Sequence, residues 1–174
     1  MNTRTSHRLL LGILLVALAT IMRVVPHPWN LTPVGAVALF SGACFDRKRW
    51  SFLVPLLALF IGDTFIGYHS LMPVIYATFG LIVCIGFLLR ERRDSPAAVV
   101  AGAVASSTIF YLVTNFAVWK MLGTYPQTLS GLVACYVAGI PYYGTMLAGD
   151  VLYSALLFGT FVWAERRIPQ FAPR

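Results

Sequence analysis

The sequence contains few charged residues, and acidic residues are the scarcest of them. Asp, Glu, Lys and Arg together make up 11% of the 174 residues, and only six residues are acidic. Soluble domains average about 25% charged residues. A chain that is 59% hydrophobic, with a mean hydropathy of +0.78, does not fit that class. The composition therefore predicts a membrane protein.

Cysteines are also few, and a phosphate-binding motif is missing. Cys44, Cys84 and Cys135 share no spacing typical of a metal site, and their odd number argues against a disulfide framework. The histidines show no helical metal-binding spacing either, so we expect no metal and no cofactor. No Walker A motif occurs, so any energy from ATP would have to come from another protein. We expect no enzymatic activity.

Basic residues, in contrast, are grouped in four short polar breaks between apolar runs. Cytoplasmic loops of membrane proteins retain Lys and Arg. The pattern therefore predicts an even number of membrane crossings, with the breaks and both termini in the cytoplasm. Because the basic residues form no continuous face, we expect no nucleic-acid partner. The breaks contain Arg4 and Arg8; Arg47, Lys48 and Arg49; Arg90, Arg92 and Arg93; and Arg166, Arg167 and Arg174.

The apolar runs between these breaks predict an all-α fold, a single transmembrane domain over residues 1–174 that forms a six-helix bundle. Thr32 followed by Pro33 predicts the start of the second span, and Ser95 followed by Pro96 predicts that of the fifth. In each, a hydroxyl N-cap precedes a proline at the first helical position. That span is short, because twelve residues rise only about 18 Å against a hydrocarbon core of about 30 Å. Residues 115–141 are expected outside as a lid with a short helix over 129–138. The predicted spans are 9–22, 34–45, 51–66, 71–89, 96–113 and 142–163.

Two acidic residues stand apart from the basic breaks and fall inside predicted spans. Asp63 and Asp150 lie at similar depths below the outer ends of spans three and six. Each costs at least ~2.5–3.5 kcal/mol at depth, so each should face the bundle interior and have a partner. They are either polar anchors of a ligand cavity open to the outside, or ties between helices. In the second case Asp63 would bind Arg23 or His69. Asp150 would bind Asn115 or a backbone amide.

Aromatic and polar side chains are concentrated in the predicted outer segments. A single outer Trp or Tyr fits an aromatic belt at the membrane surface equally well. Combined with inward-facing aspartates, however, the set predicts a pocket with aromatic walls and few polar anchors. The candidate substrate-binding residues are Asp63, Asp150, Asn115, Trp119, Asn30, Trp29, His69 and Tyr143.

Several short motifs, spread in order over nearly the whole chain, carry a family resemblance. They are Asn30-Leu-Thr-Pro-Val-Gly-Ala, Phe40-Ser-Gly-Ala, Pro55-Leu, Gly62-Asp63, Thr114-Asn115-Phe, Trp119, Pro141 and Gly149-Asp150. With them the chain resembles an uncharacterised bacterial family of integral membrane proteins described as candidate transporters. This resemblance implies a multi-pass protein of the bacterial cytoplasmic (inner) membrane.

More distantly, the architecture is similar to the S components of energy-coupling-factor (ECF) vitamin transporters. The likeness rests on six helices, cytoplasmic termini and polar outer loops. It implies a solute bound in the outer half, beneath the loops that join helices one to two, three to four and five to six. It also implies two kinds of partner, an energy-coupling membrane subunit and ATPases.

The sequence therefore predicts a transport protein that captures a small heterocyclic or cationic solute from the outer side for uptake. One alternative is a non-catalytic assembly or scaffold subunit, favoured by the small-residue stripe Ala98, Gly102 and Ser106. The other is an intramembrane aspartyl enzyme, in which Asp63 and Asp150 share a proton. Substrate identity, energy source and oligomeric state stay open.

Overall fold

The computed structural model describes residues 3–24, 31–169 and 171, and within them the chain is helical with no strand. This confirms the predicted all-α fold of six α-helices. One 3₁₀ turn, Arg90–Arg92, links the fourth helix to the fifth. The α-helices are α1 (Thr3–Val24), α2 (Val34–Cys44), α3 (Lys48–Ile66), α4 (Met72–Leu88), α5 (Pro96–Met121) and α6 (Leu129–Arg167).

Consecutive helices run in opposite directions, so the four basic breaks meet at one end of the bundle, here called the basic end. The opposite end, with the connections at residues 67–71 and 122–128, is the distal end. Four contacts join the breaks: Arg90 to the Phe45 carbonyl at 2.6 Å, Arg93 to Glu165 at 3.0 Å, Arg166 to Asp94 at 3.0 Å, and the rings of His7 and Phe171 at 6.5 Å.

The short helix α2 forms the centre of the bundle. Every residue from 35 to 44 is buried, and α2 packs against each of the other five α-helices. Phe40 lies between Phe158 and Phe161 of α6, with ring centroids 5.4 and 5.3 Å away and the rings nearly perpendicular. Edge-to-face packing of this kind adds to the energy of burying aromatic rings. The predicted short second span is therefore an internal helix.

Two glycines bring α2 and α4 into backbone contact. A Cβ added to Gly42 would overlap the Val83 carbonyl, and one added to Gly86 would overlap the Leu39 carbonyl. Only glycine fits at either position. Small residues at crossings are typical of membrane helix bundles, in which close backbone approach replaces the hydrophobic driving force.

The outside of the bundle is apolar. On α1, Leu10, Leu14, Leu18 and Ile21 lie along one face and are each more than half exposed. Similar exposed residues follow on α6, where Leu129 is 77% exposed. Among the residues that the structure describes, α5 and α6 are the helices long and apolar enough to cross a membrane, judged by length and composition. Six membrane spans stay a prediction.

The largest difference from the sequence-based expectation lies between residues 115 and 141. This segment is not a separate lid, because α5 continues to Met121 and α6 begins at Leu129 and runs through Pro141 without a break. Proline inside a helix removes one backbone hydrogen bond and costs about 3 kcal/mol or more in isolation. Here α5 and α6 pack against each other over much of their length, and that packing outweighs the local preference.

Candidate functional site

Asp150 of α6 is bound to the beginning of α2. It is 3% exposed, and its Oδ1 accepts a hydrogen bond from the Ala36 backbone N–H at 3.1 Å. Its Oδ2 accepts from the Ser107 hydroxyl of α5 at 2.6 Å. The prediction that Thr32 is the N-cap residue is wrong, because Pro33 occupies that position and its side chain makes no hydrogen bond. The Asp150 carboxylate serves instead, where a negative charge also complements the helix dipole.

Glycine makes room for this carboxylate. A Cβ on Gly35 would overlap the oxygens of Asp150, so any larger residue would push α6 away from α2. Of the two structural ties considered from the sequence, the backbone amide is therefore the one that forms. Asn115 does not contact Asp150.

The other end of α2 is bound by Arg90. Its Nε donates to the Gly42 carbonyl at 3.0 Å, and its Nη2 donates to the Phe45 carbonyl at 2.6 Å. These carbonyls belong to the last turn of α2 and the residue after it, where a positive charge complements the dipole. The N-cap residue of α2 supplies no side-chain hydrogen bond. Both ends of this buried helix are instead capped by charged side chains from other segments, Asp150 at the start and Arg90 at the end. Sequence reasoning treated Arg90 as a topology signal and missed this role.

Asp63 has a different set of neighbours. It is 4% exposed, and its Oδ2 accepts a hydrogen bond from the Tyr76 hydroxyl of α4 at 2.8 Å, so it ties α3 to α4. His69 is exposed in the connection between these helices, and no described contact joins its side chain to Asp63. The expected tie through Arg23 involves a side chain that lies outside the described residues. Within the described part of the chain, the hydrogen-bond partners of Asp63 and Asp150 are different residues.

Two of the predicted binding residues, Asn115 and Tyr143, meet in one cavity of about 180 Å³ near the distal end. It lies between α5 and α6 and is here called the distal cavity. Neither Asp63 nor Asp150 lines it. Its walls are mainly aromatic, and the lining residues are Phe110, Tyr111, Thr114, Asn115, Gly139, Tyr142, Tyr143 and Met146.

The Asn115 side chain is held in place by a hydrogen bond within its own helix. Its Nδ2 donates to the Tyr111 carbonyl at 2.9 Å. A Cβ at Gly139 would lie 2.6 Å from its Oδ1, so the glycine allows α6 to approach the carboxamide closely. Within the described part of the chain this oxygen accepts no hydrogen bond. It is an oriented acceptor at the cavity wall.

Tyr143 forms the opposite wall. Its hydroxyl shares a hydrogen bond of 2.9 Å with the Thr108 hydroxyl, and its ring lies 4.9 Å from that of Tyr111. The Tyr111 hydroxyl in turn donates to the Tyr136 carbonyl at 2.6 Å. Both phenol groups are thereby used in joining α5 to α6, so a ligand in the cavity would meet the aromatic rings and not these hydroxyls.

The other candidates lie elsewhere. Trp119 closes the α5–α6 connection, since its Nε1 donates to the Pro126 carbonyl at 2.8 Å and its ring packs on Phe116 at 5.4 Å. It does not line the distal cavity. Trp29 and Asn30 lie outside the described residues.

Sequence reasoning missed most of the other walls of the distal cavity, Tyr111 above all. A signal exists in the spacing, because Tyr111 and Asn115 are four residues apart, as are Gly139 and Tyr143. Residues at this spacing share one face of a helix. The spacing is informative only if both segments are helical. Because residues 115–141 are predicted as a lid outside the long helices, the spacing does not point to a shared face.

The fold defines an all-helical protein with two helices that could span a membrane, an apolar exterior and a small aromatic cavity. Residues 3–171 match the family of unknown function DUF6580, and the chain therefore belongs to that family. Comparisons with curated proteins and with solved structures find no match. The membership confirms the predicted uncharacterised family. Transport and the likeness to S components stay proposals.

Proposed function

We propose that this protein is a multi-pass protein of the bacterial inner membrane that captures a small heterocyclic solute in the distal cavity for uptake. The observation that carries the proposal is the meeting of Asn115 and Tyr143 in one cavity with aromatic walls. Aromatic walls with a few placed polar groups are typical of small-molecule sites.

The membrane placement is supported by the exterior and by the basic end. Exposed leucines along α1 suit contact with lipid, whereas soluble proteins rarely expose such continuous apolar stripes. Retention of Lys and Arg in cytoplasmic loops assigns the basic end, with both termini, to the cytoplasm. The distal cavity then lies in the outer half of the membrane, and α1 to α6 form six membrane-embedded segments, with α2 shielded by the others.

The cavity size favours a single-ring solute. Its volume is about 180 Å³, and an apolar cavity of about 150 Å³ is known to hold benzene. The Asn115 oxygen would accept from a ring N–H, and the tyrosine faces would stack on the ring. Among the described residues no carboxylate lines the cavity, so we favour an uncharged heterocycle over a cation. Asp63 and Asp150 are then helix ties.

Uptake needs a source of energy beyond this chain or a coupled ion. Since the sequence has no Walker A motif, an energy-coupling membrane subunit with ATPases is the partner set proposed here. Coupling to protons, or action as a solitary transporter, are the remaining possibilities for the energy source.

The first prediction tests the cavity. Protein purified in mild detergent should retain a single-ring metabolite, identified by mass spectrometry, and pyrimidines, pyridines and imidazoles should be screened by thermal shift. Asn115→Leu removes the acceptor at nearly constant size and should weaken binding about tenfold, the effect of one hydrogen bond. Thr145→Val is the control, because the Thr145 hydroxyl bonds only carbonyls of its own helix, outside the cavity. Absence of any retained or stabilising compound would overturn the proposal.

The alternatives have less support. The small-residue stripe that favoured a scaffold subunit is used inside the bundle, where Gly102 and Ser106 are buried and a Cβ at Gly102 would overlap Leu89. An aspartyl enzyme needs two carboxylates that share a proton. Asp63 and Asp150 instead have separate hydroxyl donors, Tyr76 and Ser107.

A further inference from the structure

A second cavity, separate from the distal one, lies at the basic end between the first turns of α5 and the last turns of α6. It has a volume of about 470 Å³ and is here called the basal groove. Its walls are apolar, formed by Val99, Val100, Ala155, Phe158, Gly159 and Val162. A Cβ added to Gly159 would meet no atom within 4 Å, so the groove is open at this point.

The groove covers most of one membrane leaflet in length. Its lining on α6 from Ala155 to Trp163 corresponds to a rise of about 12 Å, and the basic rim at Arg166 and Arg167 follows. Half of a hydrocarbon core of about 30 Å is about 15 Å. The neighbouring exposed side chains, Leu152 and Leu156 on α6, continue the groove into the apolar exterior. An extended acyl chain lying along α6 would therefore be covered on one side and reach bulk lipid on the other.

The rim of the groove carries an excess of positive charge. Arg93 is neutralised by Glu165, whose two oxygens it contacts at 3.1 and 3.0 Å. Arg166 contacts Asp94 at 3.0 Å, and Arg167 forms no ion pair with any described residue. Among the residues that the structure describes at this rim, three arginines thus face two carboxylates, a net charge of plus one.

Two further features suit a lipid phosphate at this rim. Pro96, the first residue of α5, lines the groove, so the partial positive charge of a helix N-terminus faces the same region. Trp163 also lines it and is 59% exposed, in a position typical of tryptophan at the membrane interface.

We propose that the basal groove binds one anionic phospholipid, with an acyl chain on the Gly159 wall and the phosphate on Arg166 and Arg167. Basic pockets between helices on the cytoplasmic side are suited to anionic headgroups. An apolar helix from a partner or a second copy would gain nothing from the positive rim. The inference rests on the membrane placement proposed above, but not on solute capture.

Trp163 provides a built-in reporter for the test. The whole protein is reconstituted in phosphatidylcholine vesicles that contain a minor fraction of either brominated phosphatidylglycerol or brominated phosphatidylcholine, since bromine quenches tryptophan on contact. Subtracting the signal of Trp163→Phe isolates this residue. We expect an apparent affinity about fivefold higher for the brominated phosphatidylglycerol, equivalent to about 1 kcal/mol from one basic residue near an anionic lipid.

Matched variants separate the two halves of the site. Arg166→Gln combined with Arg167→Gln should remove the preference for phosphatidylglycerol. Gly159→Leu should fill the groove and remove most Trp163 quenching by either lipid. Gly144→Leu is the control, because Gly144 is also on α6 and a Cβ there likewise meets nothing within 4 Å. It should behave as the wild type.

Two results would overturn the inference. Equal quenching by the two brominated lipids would mean that Trp163 meets only the general lipid around the protein. No quenching by either lipid would mean that a protein segment, such as a partner helix or a second copy, covers the groove. Neither result bears on solute binding in the distal cavity, and a failure to bind solute would leave the lipid result intact.

Discussion

At the scale of single residues, two charged side chains of opposite sign bind the two ends of α2. Asp150 and Arg90 come from segments far apart in sequence, yet each satisfies backbone groups of the same eleven-residue helix. Inside an apolar bundle no water is available to do this, so an unsatisfied amide or carbonyl there costs several kcal/mol.

The second prediction concerns Asp150. Asp150→Ala leaves the Ala36 N–H and the Ser107 hydroxyl without an acceptor in the core, and should lower the free energy of unfolding by about 3 kcal/mol. Asp150→Asn keeps an acceptor for Ala36 and should cost less. Chemical unfolding in detergent measures both. If Asp150→Asn were as stable as the wild type but lost the co-purifying solute, Asp150 would be a ligand anchor instead.

The third prediction concerns Arg90, for which the chain offers a control in the same turn. Arg90→Gln loses charge-assisted hydrogen bonds to two carbonyls and should destabilise by about 1.5–3 kcal/mol. Arg92→Gln removes an exposed charge two residues away and should stay within about 0.5 kcal/mol of the wild type. If both substitutions changed the free energy of unfolding by the same amount, Arg90 would contribute no more to stability than an exposed charge of the connection.

At the scale of helices, the α2–α4 contact sets the packing of the bundle. The fourth prediction compares two glycines of α4. Gly86→Ala places a methyl group against the Leu39 carbonyl and should cost about 1–3 kcal/mol. Gly80→Ala meets open space and should be neutral or stabilise by up to about 1 kcal/mol through helix propensity. Thermal unfolding of the two variants decides, and a stable Gly86→Ala protein would contradict the close crossing.

Helices were the part of the fold most accessible to prediction from sequence. Apolar runs and basic breaks gave six helices, and the Ser95–Pro96 start of α5 has the expected cap, with Ser95 accepting from the Ala98 N–H at 3.4 Å. The extent of α5 and α6 was missed because Asn115, Trp119 and Pro141 have loop-like character locally. Their helical state depends on packing between the two helices, which a single-sequence pattern does not contain.

The candidate site, like the fold, is predictable from the sequence only in part. Asn115 and Tyr143 are identifiable as polar and aromatic residues of the predicted outer segments, and they do line one cavity. The convergence of Asp63 and Asp150 was inferred from depth alone. Depth does not give the direction around the helix axis, and in the fold the two carboxylates bind different helices.

At the scale of the whole molecule, charge and hydrophobicity are arranged along one axis. The basic breaks join at one end, the aromatic cavity lies toward the other, and leucines and phenylalanines cover the exterior between them. Under the proposed membrane placement this arrangement would orient the protein without any further signal, because Lys and Arg are retained on the cytoplasmic side. Both proposed sites depend on it, the solute site on the outer side and the lipid site on the inner side.

The most direct test of this account is a topology measurement on intact cells. In a background with Cys44, Cys84 and Cys135 replaced by alanine, single cysteines are placed at Arg49 and Arg92 of the basic end, and at His69 and Gln127 of the distal end. A membrane-impermeant maleimide should label the two distal positions directly and the two basic positions only after permeabilisation. Labelling that places Arg49 and Arg92 on opposite faces, or that reaches all four in intact cells, would contradict the account.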